Sequence, residues 1–271
     1  MDVRSVSVGD GAQVEVRAMG AGEPVLLIQT ALDPDELATL AAEPALRARY
    51  RVVDVRRRGY GSSSPPSGGG VVGDAADAIA VLRALGAEPA HIVGTSFSSS
   101  IALAVAALAP SAVATVVLIE VPPPDGSDDL AQVAGRLAET YANEGVASAL
   151  DVFAQAMGDG AWSARRLELP VSEVERIERD ADTFFASDIP ALLRWRLAAA
   201  PPHPVLCIGG AETAPMFAAA RHRVLRLIPQ AEEVVIPGGG HIVAATHSAE
   251  VAAAMVDFLE RHPIEQKGQR S

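Results

Sequence analysis

Cysteine is nearly absent from the sequence, and the single Cys207 excludes an internal disulfide. It stands in the apolar run Val205, Leu206, Cys207, Ile208, which reads as a buried strand. Such cysteine usage fits a reducing compartment, so a cytoplasmic location is expected. Basic residues are also scarce: 22 Lys and Arg stand against 34 Asp and Glu, a formal charge of −12. That field repels phosphate backbones and anionic lipid surfaces, so neither nucleic acid nor a membrane is an expected partner. Clustered metal-binding residues are missing as well. There is no cysteine cluster and no pair of histidines at helical spacing, and the run Gly68–Gly70 has no lysine after it. The reading therefore carries no metal, no phosphate loop and no bound cofactor. The segment Met1 to Gly11 lacks the apolar core of a secretory signal. One long hydrophobic run exists, Ile101 to Ile119, but Pro110 and Ser111 divide it. An Ala-rich helix followed by a β-branched strand accounts for it without lipid.

What remains is ample for a core: 49% of the 271 residues are hydrophobic and 21% charged. Segments rich in Val and Ile alternate with Ala-rich stretches of helical spacing, the pattern of an α/β fold with a mostly parallel sheet and crossover helices. Residues 4–8 and 13–19 read as an antiparallel pair turning at Gly9, Asp10 and Gly11. Further strands are expected at 25–29, 50–55, 91–94, 113–120, 204–209 and 233–236. Helices are expected at about 34–48, 72–85, 98–109, 214–226 and 247–261, with Asp33–Pro34 and Thr246–Ser248 as helix starts. The interval between the strands ending near Glu120 and beginning at Pro204 is too long for one crossover helix. It implies an inserted helical cap at 125–200, with 1–124 and 201–271 forming the main domain. Aromatics are only 4% of the chain, yet Trp162, Trp195, Phe153, Phe184, Phe185 and Tyr141 all fall in this insert. Some are expected to pack the cap and others, with Trp162, Phe184 and Trp195 as candidates, to line a substrate pocket. The acidic run Glu173, Glu175, Glu178, Asp180 and Asp182 reads as a solvated helix face.

The sharpest local signal is Ile92, Val93, Gly94, Thr95, Ser96, Phe97, Ser98, an apolar strand running through small residues into an Ala-rich helix. A tight strand-to-helix turn needs small neighbours two positions either side of its central residue, because the two backbones approach closely there. Ser96 is that central residue, placed at a helix amino end where unpaired donors favour developing negative charge. A serine-rich helix start, with Ser98, Ser99 and Ser100 capping their own backbone, is the plainer alternative.

The pattern resembles the nucleophile elbow, G-x-S-x-G, of the α/β-hydrolase superfamily, with Ser98 in place of the second glycine. The resemblance spans nearly the whole chain apart from the cap, and Arg57, Arg58, Gly59, Tyr60, Gly61, Ser62 adds to it. It implies a doubly wound sheet of the α/β-hydrolase type, with His241, after Pro237–Gly240, as the base. The customary acid position after the strand at 205–209 holds Thr213. The resemblance therefore leaves the acid open among Glu120, at the preceding strand end, Glu212 and Asp125. For acyl transfer it implies one oxyanion amide at Phe97 and a second at Ala31 or Thr30. Family members often read His-Gly there; this chain reads Gln29, Thr30, Ala31. Gln29 is thus a further candidate as side-chain donor and pocket residue.

The expected function is hydrolysis of a small, largely apolar ester, thioester or amide by Ser96, His241 and a carboxylate. Two alternatives stand beside it. One is a non-hydrolytic lyase, cyclase or bond-forming catalyst with His241 as general base. The other is a non-catalytic small-ligand binder on the same scaffold.

Overall fold

The central strands are apolar at consecutive positions because both of their faces are covered, as a parallel sheet between helix layers requires. A computed structural model, which describes residues 2–32, 35–158 and 161–265, contains eight strands. They are β1 (Asp2–Ser7), β2 (Gln13–Met19), β3 (Glu23–Ile28), β4 (Tyr50–Val55), β5 (Ala90–Thr95), β6 (Val113–Ile119), β7 (Val205–Gly210) and β8 (Ala231–Ile236). Their order in the sheet is β1-β2-β4-β3-β5-β6-β7-β8. The leading hairpin is antiparallel and β2 pairs antiparallel with β4, whereas every later pairing is parallel. Asp10 (φ 58°) and Gly11 (φ 80°) take the left-handed conformations of the hairpin turn.

Alternation along the strands divides the core into two. Leu26, Ile28, Val53, Ile92, Val116 and Cys207 face one layer, and Val25, Leu27, Val52, Val93, Val117 and Leu206 face the other. The second layer contains α1 (Ala38–Ala42), α2 (Pro44–Arg47), α11 (Val243–Thr246) and α12 (Ser248–Arg261). The first contains α3 (Gly70–Ala84) and α4 (Phe97–Leu108) and is joined by side chains of the long β6–β7 connection. That connection folds as α5 (Asp128–Glu144), α6 (Val146–Met157), α7 (Trp162–Arg165), α8 (Val171–Thr183), a π-helical turn at Phe184–Asp188, and α9 (Ile189–Arg194). α10 (Pro215–Leu227) joins β7 to β8. No helix among the described residues is long and apolar enough to cross a membrane.

Two sequence expectations need correction. The single helix over 34–48 is two short ones, because Pro44 forces Glu43 out of the helical region (ψ 126°). The acidic run in α8 is not wholly solvated: Asp180 is buried and accepts from the Gly61 amide. The proposed helix start at Asp33–Pro34 lies outside the described residues.

Arg56, Arg57 and Arg58 follow β4 and each meets carboxylates. Arg56 bonds to Asp35 at 2.5 Å and lies 3.4 Å from Asp54, whose second oxygen has no partner among the described residues. Burial therefore outweighs the attraction of Arg56 and pushes the Asp54 carboxyl up to about 6. The folded chain binds this proton more tightly than the unfolded one. Ionised Asp54 thus opposes folding fully above pH 6, and the penalty vanishes below about pH 4. Asp54→Asn is expected to gain roughly 2–3 kcal/mol at pH 8 relative to pH 4.5. Urea midpoints at the two pH values measure it, and an equal effect at both would show that Asp54 stays ionised at the lower pH.

Candidate active site

The turn between β5 and α4 is built by backbone proximity. A Cβ on Gly94 would lie 2.2 Å from the Ser98 carbonyl oxygen and 2.6 Å from the Ser99 amide, so only glycine fits there. Ser98, in contrast, has room and uses it. Its hydroxyl accepts from the Thr95 amide at 2.9 Å and lies 2.8 Å from the Ile28 carbonyl and 2.9 Å from that of Thr95, either of which can accept its proton. The side chain that departs from the motif pins the turn to β3. Ser99 likewise reaches the Gly94 and Ile119 carbonyls, whereas Ser100 has no partner among the described residues. Ser96 itself is held at φ 46°, ψ −122°. Only four non-glycine residues among those described have positive φ, and Leu32, Ser96 and Glu120 are three of them. Such strain persists only where surrounding contacts impose it, and here all three positions lie at the carboxyl edge of the sheet.

Ser96 Oγ stands 3.1 Å from His241 Nε2, and His241 Nδ1 stands 3.3 Å from Glu120 Oε2. With its proton on Nδ1 the imidazole donates to the carboxylate and accepts from the serine hydroxyl. The loop carrying His241 comes this close because Gly210 has no side chain: a Cβ there would sit 2.1 Å from the Gly239 carbonyl oxygen. Phe217 packs against the imidazole at 4.1 Å between ring centroids. Glu120 is buried, accepts from the Gly210 amide at 2.6 Å through Oε1 and from the Thr213 hydroxyl at 2.5 Å through Oε2. Thr213 therefore contacts the carboxylate from the position where an acid was sought. The other two carboxylates lie elsewhere. Glu212 is exposed, and exposed Asp125 pairs with Arg223 at 2.8 Å.

A cavity of about 310 Å³ opens on Ser96 and His241. The core contributes Thr30, Ala31, Leu32, Ile242 and Ala245 to its walls, and the β6–β7 connection contributes Leu150, Phe153, Ala154, Trp162 and Ile177. Asp35, Glu36, Arg165 and Glu173 add charged groups. Of the aromatic pocket candidates only Trp162 lines it. Phe184 is buried against Phe153 and Phe185, at 4.9 and 5.0 Å, and Trp195 flanks a separate groove beside Gly68–Gly70. Gln29 does not reach the cavity either: its side-chain amide donates to the Thr30 carbonyl and accepts from the Arg57 amide. Arg57, in the loop after β4, engages it. Phe153, Leu150 and Ile177 were not singled out as wall residues, since helical spacing marks an apolar face without saying what it faces. The Phe97 and Ala31 amides have no hydrogen-bond partner among the described residues. No cluster of three or more metal-ligating side chains occurs among them.

This architecture has many counterparts. An esterase from Thermogutta terrifontis superposes with a TM-score of 0.81 at 21% identity, covering 97% of this chain and 100% of that one. An enol-lactonase from Burkholderia xenovorans LB400 does so with a TM-score of 0.76 at 21% identity, over 95% and 100%. In sequence, the chain is 27% identical over 257 residues to the dihydrolipoyllysine-residue acetyltransferase component of the acetoin cleaving system of Pseudomonas putida. The match takes in 89% of this chain and spans 64% of the length of that relative. A family model describing the alpha/beta hydrolase fold matches residues 23–248. With its matched region running from β3 through the His241 loop, the chain belongs to the alpha/beta hydrolase fold family.

Proposed function

We propose that the protein is a serine hydrolase that cleaves a small, largely apolar ester, thioester or amide. The observation that carries this reading is the hydrogen-bond succession from Ser96 through His241 to Glu120, opening into a cavity with mainly apolar walls. Ser96 Oγ attacks the substrate carbonyl while His241 Nε2 takes the hydroxyl proton. The tetrahedral oxyanion is received by the Phe97 and Ala31 amides. As the carbonyl re-forms, the bond to the leaving group breaks and the leaving group takes the proton from Nε2. An acyl-Ser96 ester remains. Water, deprotonated by the same nitrogen, then attacks that ester and releases the acid and free Ser96. Glu120 keeps the Nδ1 proton directed at itself and stabilises the imidazolium. The helices of 125–200 act as the cap, and a volume of about 310 Å³ sets the scale of the substrate as a small molecule.

A fluorophosphonate probe is expected to label the wild-type protein stoichiometrically, with the adduct on the peptide containing Ser96 by mass spectrometry. Folded protein that stays unlabelled would remove the nucleophile from this reading. Labelling combined with substantial turnover by Ser96→Ala on the physiological substrate would favour His241 as a general base for non-hydrolytic chemistry.

A further inference from the structure

The loop between β3 and α1 would have to present the Ala31 amide without the glycine that commonly eases such a turn, and Leu32 within it stands at φ 61°. One side chain bonds two of its carbonyls, that of Thr30 jointly with the Gln29 side chain. Arg57 is buried and donates from Nε to the Gln29 carbonyl at 2.9 Å and from Nη2 to the Thr30 carbonyl at 3.0 Å. Its backbone amide donates to the Gln29 side chain at 3.1 Å. The remaining donors of the guanidinium reach Asp188 at 2.6 and 3.1 Å and Asp74 at 2.7 Å. Burial alone would lower its pKa, but Asp188 and Asp74 outweigh burial, so the charge is permanent.

We infer that Arg57 is a positioning residue for the oxyanion-binding peptide, an inference that rests on the acyl-transfer reading above. A trans peptide is planar, with its C=O and N–H pointing in opposite directions. A guanidinium pulling on the Thr30 carbonyl from behind therefore fixes the Thr30–Ala31 plane and aims the Ala31 N–H away from itself. The charge also polarises that peptide, strengthening the N–H as a donor. The same guanidinium lies over the Phe97 ring, 4.6 Å from its centroid, so one cation braces both residues whose amides would meet the oxyanion. Its ties to Asp188 reach into the β6–β7 connection and anchor the brace.

The test separates this role from simple anchoring of the connection. Arg57→Met removes the carbonyl bonds and the pairs with Asp74 and Asp188 together, whereas Asp188→Asn removes one carboxylate charge and leaves the carbonyl bonds in place. Arg57→Lys keeps a buried charge between Asp74 and Asp188, but its ammonium has no planar fork to bridge two carbonyls. On a 4-nitrophenyl ester, Arg57→Met and Arg57→Lys are each expected to lower kcat about 30-fold or more with KM nearly unchanged, since a lost oxyanion donor costs about 100- to 1000-fold. Asp188→Asn is expected to lower the melting temperature yet keep kcat within about threefold. Equal losses of kcat in Asp188→Asn and the Arg57 variants, or a folded Arg57→Lys as fast as wild type, would overturn the inference while leaving Ser96 chemistry intact. Wild-type protein inert to both ester and fluorophosphonate would instead sink the acyl-transfer reading, and this inference with it.

Discussion

Ser96→Ala and His241→Ala are each expected to lower kcat for a 4-nitrophenyl ester by about 10⁵-fold or more, and the double variant by no more than either alone. In the proposed reaction the two groups are one device. Without the imidazole the hydroxyl keeps its proton, and without the hydroxyl the imidazole has nothing to activate except water. In that reaction the 3.1 Å contact between them carries the proton. Residual rate would come from the oxyanion amides and from binding. Steady-state kinetics with circular dichroism as the folding control measure the effect. Independent, multiplying losses would show that the two side chains do not act on the same proton.

Glu120→Gln is expected to lower kcat by about 10³- to 10⁴-fold with the fold preserved. The carboxylate takes its hydrogen bonds in a fixed arrangement, with one oxygen receiving the Gly210 amide at 2.6 Å and the other facing Thr213 and His241. In a glutamine the carbonyl must stay on the Gly210 side to keep that bond. Its NH₂ then points at His241 Nδ1, which becomes an acceptor and moves the ring proton to Nε2, where it blocks acceptance from Ser96. The 2.5 Å bond from Thr213 gives the complementary experiment. Thr213→Asp in a Glu120→Ala background is expected to recover activity tenfold or more over Glu120→Ala alone. Glu212→Gln and Asp125→Asn serve as controls and are expected to act like wild type, because Glu212 is exposed and Asp125 is paired with Arg223. Loss of activity in either control with no loss in Glu120→Gln would transfer the acid's role.

The sheet was legible because burial on both faces writes itself as runs of Val and Ile, and β4 falls on the expected residues 50–55. The turn at Ser96 was legible for a related reason, since close backbone approach demands small residues and Gly94 marks it, whereas His241 was read from the resemblance and the approach of its loop at Gly210 shows only in the structure. Glu120 was harder, since a carboxylate at a strand end looks the same whether it faces an imidazole or an arginine. Thr213, read only as a missing acid, is the donor that holds it. The three consecutive arginines were opaque. Alternate directions send Arg56 to Asp35, Arg57 to Asp188 and Arg58 to Asp77, and nothing local distinguishes them. The cavity walls were also hidden: Phe153 and Phe184 lie in one aromatic-rich segment, yet one lines the cavity and the other sits behind it.

The ladder joining β5 to β6 pairs Thr95 with Ile119, and the Ser96 amide continues it by donating to the Ile119 carbonyl at 2.8 Å. Alcohol and carboxylate thus ride on neighbouring rungs of one rigid lattice, and their separation is set before any loop is placed. The imidazole arrives by another route, on the glycine-rich loop that follows β8 at the sheet's far edge. A loop substitution that shifted the imidazole would therefore leave the spacing of Ser96 and Glu120 as the sheet sets it.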